Sequence, residues 1–180
     1  MKYMIASDIH GSERYCKDLL DAMQREQADK LLLLGDLLYH GPRNPLPEGY
    51  SPQAVADLLN AHKQQILCVR GNCDSEVDQM MLEFPIMAEY CIVSAEKRMI
   101  FATHGHVHHE ANLPMLQPGD VLLHGHTHIP ALEARKGYIY ANPGSVTLPK
   151  GGSARSYLVL EDTMFTLKTL QGDLLAQLSL

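Results

Sequence analysis

Three histidines fall within five residues where an apolar run stops, in Val121-Leu122-Leu123-His124-Gly125-His126-Thr127-His128. In extended backbone, positions i and i+2 project to the same side, so His126 and His128 are presented together. Paired neutral imidazoles are suited to holding a transition metal. Other donors occur in the same local setting. Asp8 and His10 follow one apolar run, Asp36 follows Gly35 after a second, Asn72 follows Gly71 after a third, and His104 precedes Gly105 after a fourth. In open α/β sheets, ligands bind beyond the carboxyl ends of strands. Five such turns converging on one edge would gather Asp8, His10, Asp36, Asn72, His104, His126 and His128.

These donors are too many for one tetrahedral ion and suit two. They are nitrogen and oxygen donors with no thiolate, which disfavours a structural cysteine-type zinc site. The set fits manganese, iron, cobalt or zinc in an open catalytic site. Two ions about 3.5–4 Å apart require a bridging carboxylate. Asp36 is the candidate because it stands alone on its turn, whereas Asp8 is already paired with His10.

The elements that must position these turns can be read from periodicity. Residues 2–7, 30–34 and 65–70 read as strands, and 12–27 and 51–62 as helices, the second opening on a Ser51 cap with Pro52 at the first helical position. This β-α-β-α-β order predicts a parallel sheet with right-handed crossovers. Residues 41–49 hold three prolines and two glycines and form a loop. Beyond residue 88 the texture becomes mostly β. Residues 89–95 and 98–103 suggest a hairpin, 121–124 a short strand, and 131–135 with 138–141 a turn-linked pair. Residues 157–160, 164–170 and 174–178 suggest closing antiparallel strands. A single domain with two packed sheets and helices outside accommodates all of it.

Composition narrows the function classes. A chain of 180 residues with 46% hydrophobic content and a formal net charge of −6 is globular, and it has no basic run. That argues against a dedicated nucleic-acid surface or an anionic membrane surface. No apolar run approaches the roughly 20 residues of a spanning helix. Cys16, Cys68, Cys73 and Cys91 contain no Cys-x-x-Cys pair, and no signal peptide is apparent, so the expectation is a reduced, cytoplasmic protein.

Taken in order, Asp8-x-His10, Gly35-Asp36, Gly71-Asn72, His104 and Gly125-His126-x-His128 resemble the calcineurin-like metallophosphoesterases, and Asn142-Pro143-Gly144-Ser145 continues the pattern. The segments around Gly41-Pro42-Arg43-Asn44 and Arg70-Gly71-Asn72-Cys73-Asp74 bring the resemblance closest to the family's small bacterial phosphodiesterases. The resemblance implies an α/β, four-layer fold, a two-sheet β-sandwich flanked by helices. It implies that Asp8, His10, Asp36 and His128 hold one divalent ion, and that Asp36, Asn72, His104 and His126 hold the second. Manganese is the first candidate for both. The implied activity is hydrolysis of a small phosphodiester by a metal-bridging hydroxide. Self-association through the C-terminal strands is a further implication.

One position departs from the family pattern. Much of the family has histidine where this chain has Cys73. A thiol with a pKa near 8.5 is a weak donor without positive charge. Losing such a group commonly costs about 10²–10⁴-fold in rate. Cys73 is therefore either a catalytic position of reduced power, favouring diesters and good leaving groups, or an inert loop thiol. His40, Arg43 and Asn44 are candidate substrate contacts from the proline-rich loop. His106 reads as structural or as a substrate contact, His124 as structural, and His108 and His109 as solvated. Two alternatives remain. One is a phosphomonoesterase of the same superfamily, which Cys73 disfavours. The other is a non-catalytic scaffold such as the retromer subunit, which the complete donor set disfavours.

Overall fold

The computed structural model describes all 180 residues. The first third alternates as expected: β1 (Lys2–Ala6), α1 (Glu13–Glu26), β2 (Lys30–Leu33), α2 (Pro52–Ala61) and β3 (Ile66–Cys68). The three strands are parallel, with Tyr3 opposite Lys30 and Leu31 opposite Ile66. A short helix α3 (Glu76–Met81) follows. Then come β4 (Tyr90–Ala95), β5 (Arg98–Thr103), β6 (Val121–His124), β7 (Ala131–Ala134), β8 (Ile139–Asn142), β9 (Ser156–Glu161), β10 (Met164–Thr169) and β11 (Leu174–Ser179). Two sheets result, in the orders β11-β10-β9-β1-β2-β3 and β4-β5-β6-β8-β7.

The run Lys30 to Leu34 shows how side-chain alternation builds the layers. Leu31 and Leu33 pack toward α1 and α2, beside Leu19 and Leu59. Leu32 and Leu34 point the other way, into a core between the sheets with Ile5, Leu158 and Phe165. A parallel strand covered on both faces needs apolar residues at every position, which is why the run does not alternate with polar residues. On the second sheet Ile100, Val121 and Ile139 face this shared core. Phe101, Leu122 and Tyr140 face outward, where the irregular segment after β5 brings Leu116 over them. The helices thus cover one sheet, and a loop covers the outer face of the other.

Four local features differ from the sequence reading or add to it. The strands preceding the ligand-bearing turns end at Ala6, Leu33 and Cys68, because the chain leaves the ladder to form those turns. Helix α3 was not anticipated, although Ser75 and Asp78 close a capping box around its start. Ser51 occupies the cap position before Pro52 but makes no side-chain cap bond, and its backbone N–H donates to the Gly11 carbonyl at 2.7 Å. In the second sheet β5, β6 and β8 run parallel to one another. No helix is long and apolar enough to cross a membrane.

The inter-sheet core should dominate stability. Leu32→Ala removes a side chain that is 1% exposed there, and should lower unfolding free energy by about 2–5 kcal/mol. Leu67→Ala, on the exposed side of β3, should change it by less than about 0.5 kcal/mol. Urea denaturation of the two variants checks the contrast, and equal midpoints would contradict this layer assignment.

Candidate metal centre and active site

The turns after the strands are held in strained backbone. Eight non-glycine residues adopt positive φ, and five of them are Asp8, His10, Asp36, His126 and His128. Side chains disfavour this left-handed region, so its concentration here marks a geometry imposed by the surroundings. Backbone bonds impose it. The Asp8 N–H donates to the Gly35 carbonyl at 3.1 Å, the His10 N–H to the Asp36 carbonyl at 2.9 Å, and the Gly125 N–H to the His104 carbonyl at 2.9 Å. Two glycines permit the close approach. A Cβ on Gly71 would lie 2.1 Å from Asp36 Oδ1, and one on Gly125 would lie 2.0 Å from Ser7 Oγ.

Two buried polar residues fasten the turns together. The Asp74 carboxylate accepts from the backbone N–H groups of Asp36 (2.8 Å), Leu37 (2.9 Å) and Gly71 (2.7 Å). Burial and the neighbouring Asp36 push its pKa up against those three bonds. Ser145 Oγ donates to the Asp8 carbonyl at 2.9 Å and accepts from the Thr147 and Leu148 N–H groups. Both residues lie in motifs visible in the sequence, which marks the motifs without revealing these supporting roles.

All seven expected donors meet in one place, in two groups. In the first, His10 Nε2 and His128 Nε2 are 3.3 Å apart, and they lie 3.5 and 3.2 Å from Asp8 Oδ1. In the second, His104 Nε2 lies 3.0 Å from Asn72 Oδ1 and 3.1 Å from His126 Nδ1. Asp36 Oδ2 stands between them, 3.7 Å from His10 Nε2 and 3.5 Å from His104 Nε2. The far nitrogens settle the tautomers. His10 Nδ1–H donates to the Tyr39 carbonyl at 2.9 Å, His104 Nδ1–H to Leu34 at 2.7 Å, and His128 Nδ1–H to Leu148 at 2.6 Å. A carbonyl cannot donate, so each neutral ring turns a lone pair inward.

The interior is therefore crowded with acceptors. Asp8 Oδ1 is buried and receives no hydrogen bond of good geometry. Lone pairs on three imidazoles face it, Asp36 Oδ2 and the Asn72 amide oxygen. Only positive charge relieves such an arrangement. The residues present thus fit divalent cations, through nitrogen and oxygen donors.

Protons compete for the same lone pairs. Burial opposes charge on every group here. Even so, the nearby His10 and His128 hold the Asp8 carboxyl well below its ordinary range, and His104 lowers that of Asp36. Against burial, Asp36 and Asp8 lift His104 to about 9, and Asp8 and Asp36 also raise His10. Burial and the His104 charge push His126 down to about 4.

A cavity of about 580 Å³ opens over the centre, lined by Asp36, Asn72, His126 and His128 together with Arg43, Asn44, Cys73, Thr127 and Lys150. Arg43 and Asn44 are thus placed beside the centre. His40 is not among the lining residues: its ring packs against Tyr39 and Tyr50 at 4.9 and 5.3 Å, and its carbonyl accepts from Asn44 Nδ2. The Cys73 thiol, a His10 ring nitrogen and an Asp36 carboxylate oxygen lie within 4.8 Å of one another. Burial and the surrounding carboxylates of Asp36, Asp74 and Asp8 push its pKa up, so it stays neutral. His108, expected in solvent, packs edge-on to Phe101 at 5.3 Å. His124 is buried against Tyr140, as a structural residue should be. Lys150 had no signal in the sequence.

Fold, strained turns and inward-facing acceptors together make a candidate metal site, and residues 1–163 match the calcineurin-like phosphoesterase superfamily domain. The chain belongs to that superfamily. It is 49% identical over 170 residues to phosphodiesterase YfcE of Escherichia coli K12, covering 94% of this chain and 92% of that protein. It is 28% identical to the probable metallophosphoesterase YsnB of Bacillus subtilis, covering 89% of this chain and 83% of that one. A solved structure of YfcE, a phosphoesterase from E. coli, superposes with a TM-score of 0.96 at 47% identity over 99% of both chains. Zinc-bound Vps29 from Entamoeba histolytica shares the fold alone, with a TM-score of 0.62 at 19% identity over 99% of both chains.

The proton–metal competition gives a signed prediction. His104 rises from 6.5 to about 9. Its stabilisation of the metal-free fold is therefore complete below pH 6.5 and is lost as pH rises through 9. Between pH 6.5 and 8.5, chelated protein should lose about 2 kcal/mol of unfolding free energy, at 1.36 kcal/mol per pKa unit. Excess divalent metal should reverse the trend, because the ligands bind deprotonated. Urea unfolding with chelator and with metal measures both. A flat or rising curve with chelator would contradict the assignment.

Proposed function

We propose that the protein hydrolyses small phosphodiesters using two divalent cations that share Asp36. The observation that carries this reading is the pair of acceptor groups meeting at Asp36 Oδ2, each drawing imidazoles from separate turns. Asp8, His10 and His128 with Asp36 would hold one ion. Asn72, His104 and His126 with Asp36 would hold the other. Manganese suits these harder oxygen and nitrogen donors, with iron, cobalt and zinc compatible. When bound, the cations would supply Lewis-acid polarisation of the phosphoryl oxygens and an activated water for in-line attack.

The chain's own residues do the rest. The Tyr39, Leu34 and Leu148 carbonyls keep three imidazoles in the binding tautomer. No side-chain nucleophile is required. Cys73 reaches the centre as a neutral thiol, able to offer a weak S–H contact but no charge. A monoester dianion gains most from a cationic group at that position, so its absence favours diesters. The E. coli relative, itself named a phosphodiesterase, supports the same preference. Arg43 and Asn44 contact the substrate from the cavity wall. The four free cysteines fit a reducing, cytoplasmic setting.

Manganese-loaded protein should turn over bis(p-nitrophenyl) phosphate at least about tenfold faster than p-nitrophenyl phosphate. Asp36→Asn should lower diester turnover by about 10³-fold or more and reduce bound metal. Cys73→His should narrow the diester preference by about tenfold. Diester turnover that is metal-independent, or unchanged in Asp36→Asn, would defeat the proposal.

A further inference from the structure

The wall of the cavity is cationic in an acidic chain. Formal net charge is −6, yet Arg43 and Lys150 both line the cavity, and Asp36 is the one acidic residue among the lining side chains. Most of the fifteen lysines and arginines have a protein partner. Lys2, Arg14, Lys17, Lys63, Arg135 and Lys168 pair with carboxylates. Arg25, Lys30, Arg70, Arg98 and Arg155 donate to carbonyls. Arg43, Lys97, Lys136 and Lys150 are left. Lys97 stands in the β4–β5 turn and Lys136 in the β7–β8 turn. The other two line the cavity.

Lys150 is fixed there through its backbone. Its N–H donates to the His128 carbonyl at 3.0 Å, and its carbonyl accepts from Ser153 N–H at 3.2 Å and Ser153 Oγ at 2.7 Å. The lysine is thereby tied to the turn that presents His128, while Arg43 comes from the separate loop after β2. No Phe or Tyr lines the cavity, so there is no platform on which a nucleobase would stack.

We propose that Arg43 and Lys150 form an anion subsite, and that the substrate is a small phosphodiester whose retained alcohol carries a second anion, a carboxylate or a phosphate. This inference rests on the phosphodiesterase reading of the same centre. A diester brings one negative charge, which the two bound cations would engage. Two further unpaired cations on the wall match a second charge, with which they make stronger bonds than with a neutral hydroxyl.

Three p-nitrophenyl diesters sharing one leaving group provide the test: those of glycerol, of glycerate, and of glycerol bearing a terminal phosphate. With metal-loaded protein, the anionic pair should show KM values about fivefold to tenfold below that of the glycerol diester. The better of the two identifies the anion. Lys150→Ala should erase the advantage through KM and not through kcat, Lys150→Arg should restore it, and added salt should weaken it. Equal KM for all three diesters, or an advantage that survives in Lys150→Ala, would overturn the subsite and leave the hydrolase reading intact. No turnover of any of the three would remove the hydrolase reading and the subsite with it.

Discussion

Lone pairs aimed at one another are the constraint on which the site depends. Two carboxylates, an amide oxygen and the inner nitrogens of the imidazoles converge within about hydrogen-bond distance. The outer nitrogens of His10, His104 and His128 use their N–H groups to donate hydrogen bonds to backbone carbonyls. Left to themselves these groups would separate. The strained turns, the Asp74 staple and the Ser145 clamp prevent that, and positive charge is what makes the convergence favourable.

Each donor group draws on both sheets. Asp8, His10, Asp36 and Asn72 follow strands of the larger sheet, and His104, His126 and His128 follow strands of the smaller one. The contact between His10 and His128, and that between His104 and Asn72, both cross this divide. The spacing of the sheets is therefore part of the chemistry. It is set by the core that Leu32, Leu34 and Phe165 build against Ile100 and Val121. Bound cations would fasten the sheets at one end, as the side-chain packing fastens them along their length.

The donors were legible in the sequence because each closes an apolar run beside a glycine or in a tight His-x-His pair, and both signals are local. The layers were legible because Leu31 to Leu34 is apolar throughout, which only a strand covered on two faces requires. What escaped is non-local or competes with a local signal. Parallel pairing of β5, β6 and β8 depends on crossovers whose intervening segments have no helical periodicity. Helix α3 is a single short segment, signalled only by Ser75 and Asp78. Ser51 stands at the cap position before Pro52, but its side chain makes no cap bond. The His40 ring was drawn to Tyr39 and Tyr50 by packing, and the position of Lys150 follows from a backbone bond to His128 that no spacing rule encodes.

The shared role of Asp36 can be read directly from the magnetism of the loaded centre. Protein loaded with two equivalents of manganese should give the multiline electron paramagnetic resonance spectrum of an exchange-coupled pair, which requires the ions to sit within a few ångströms of each other through a common bridge. A six-line spectrum from isolated manganese, or binding that saturates at one ion per chain, would contradict the central claim.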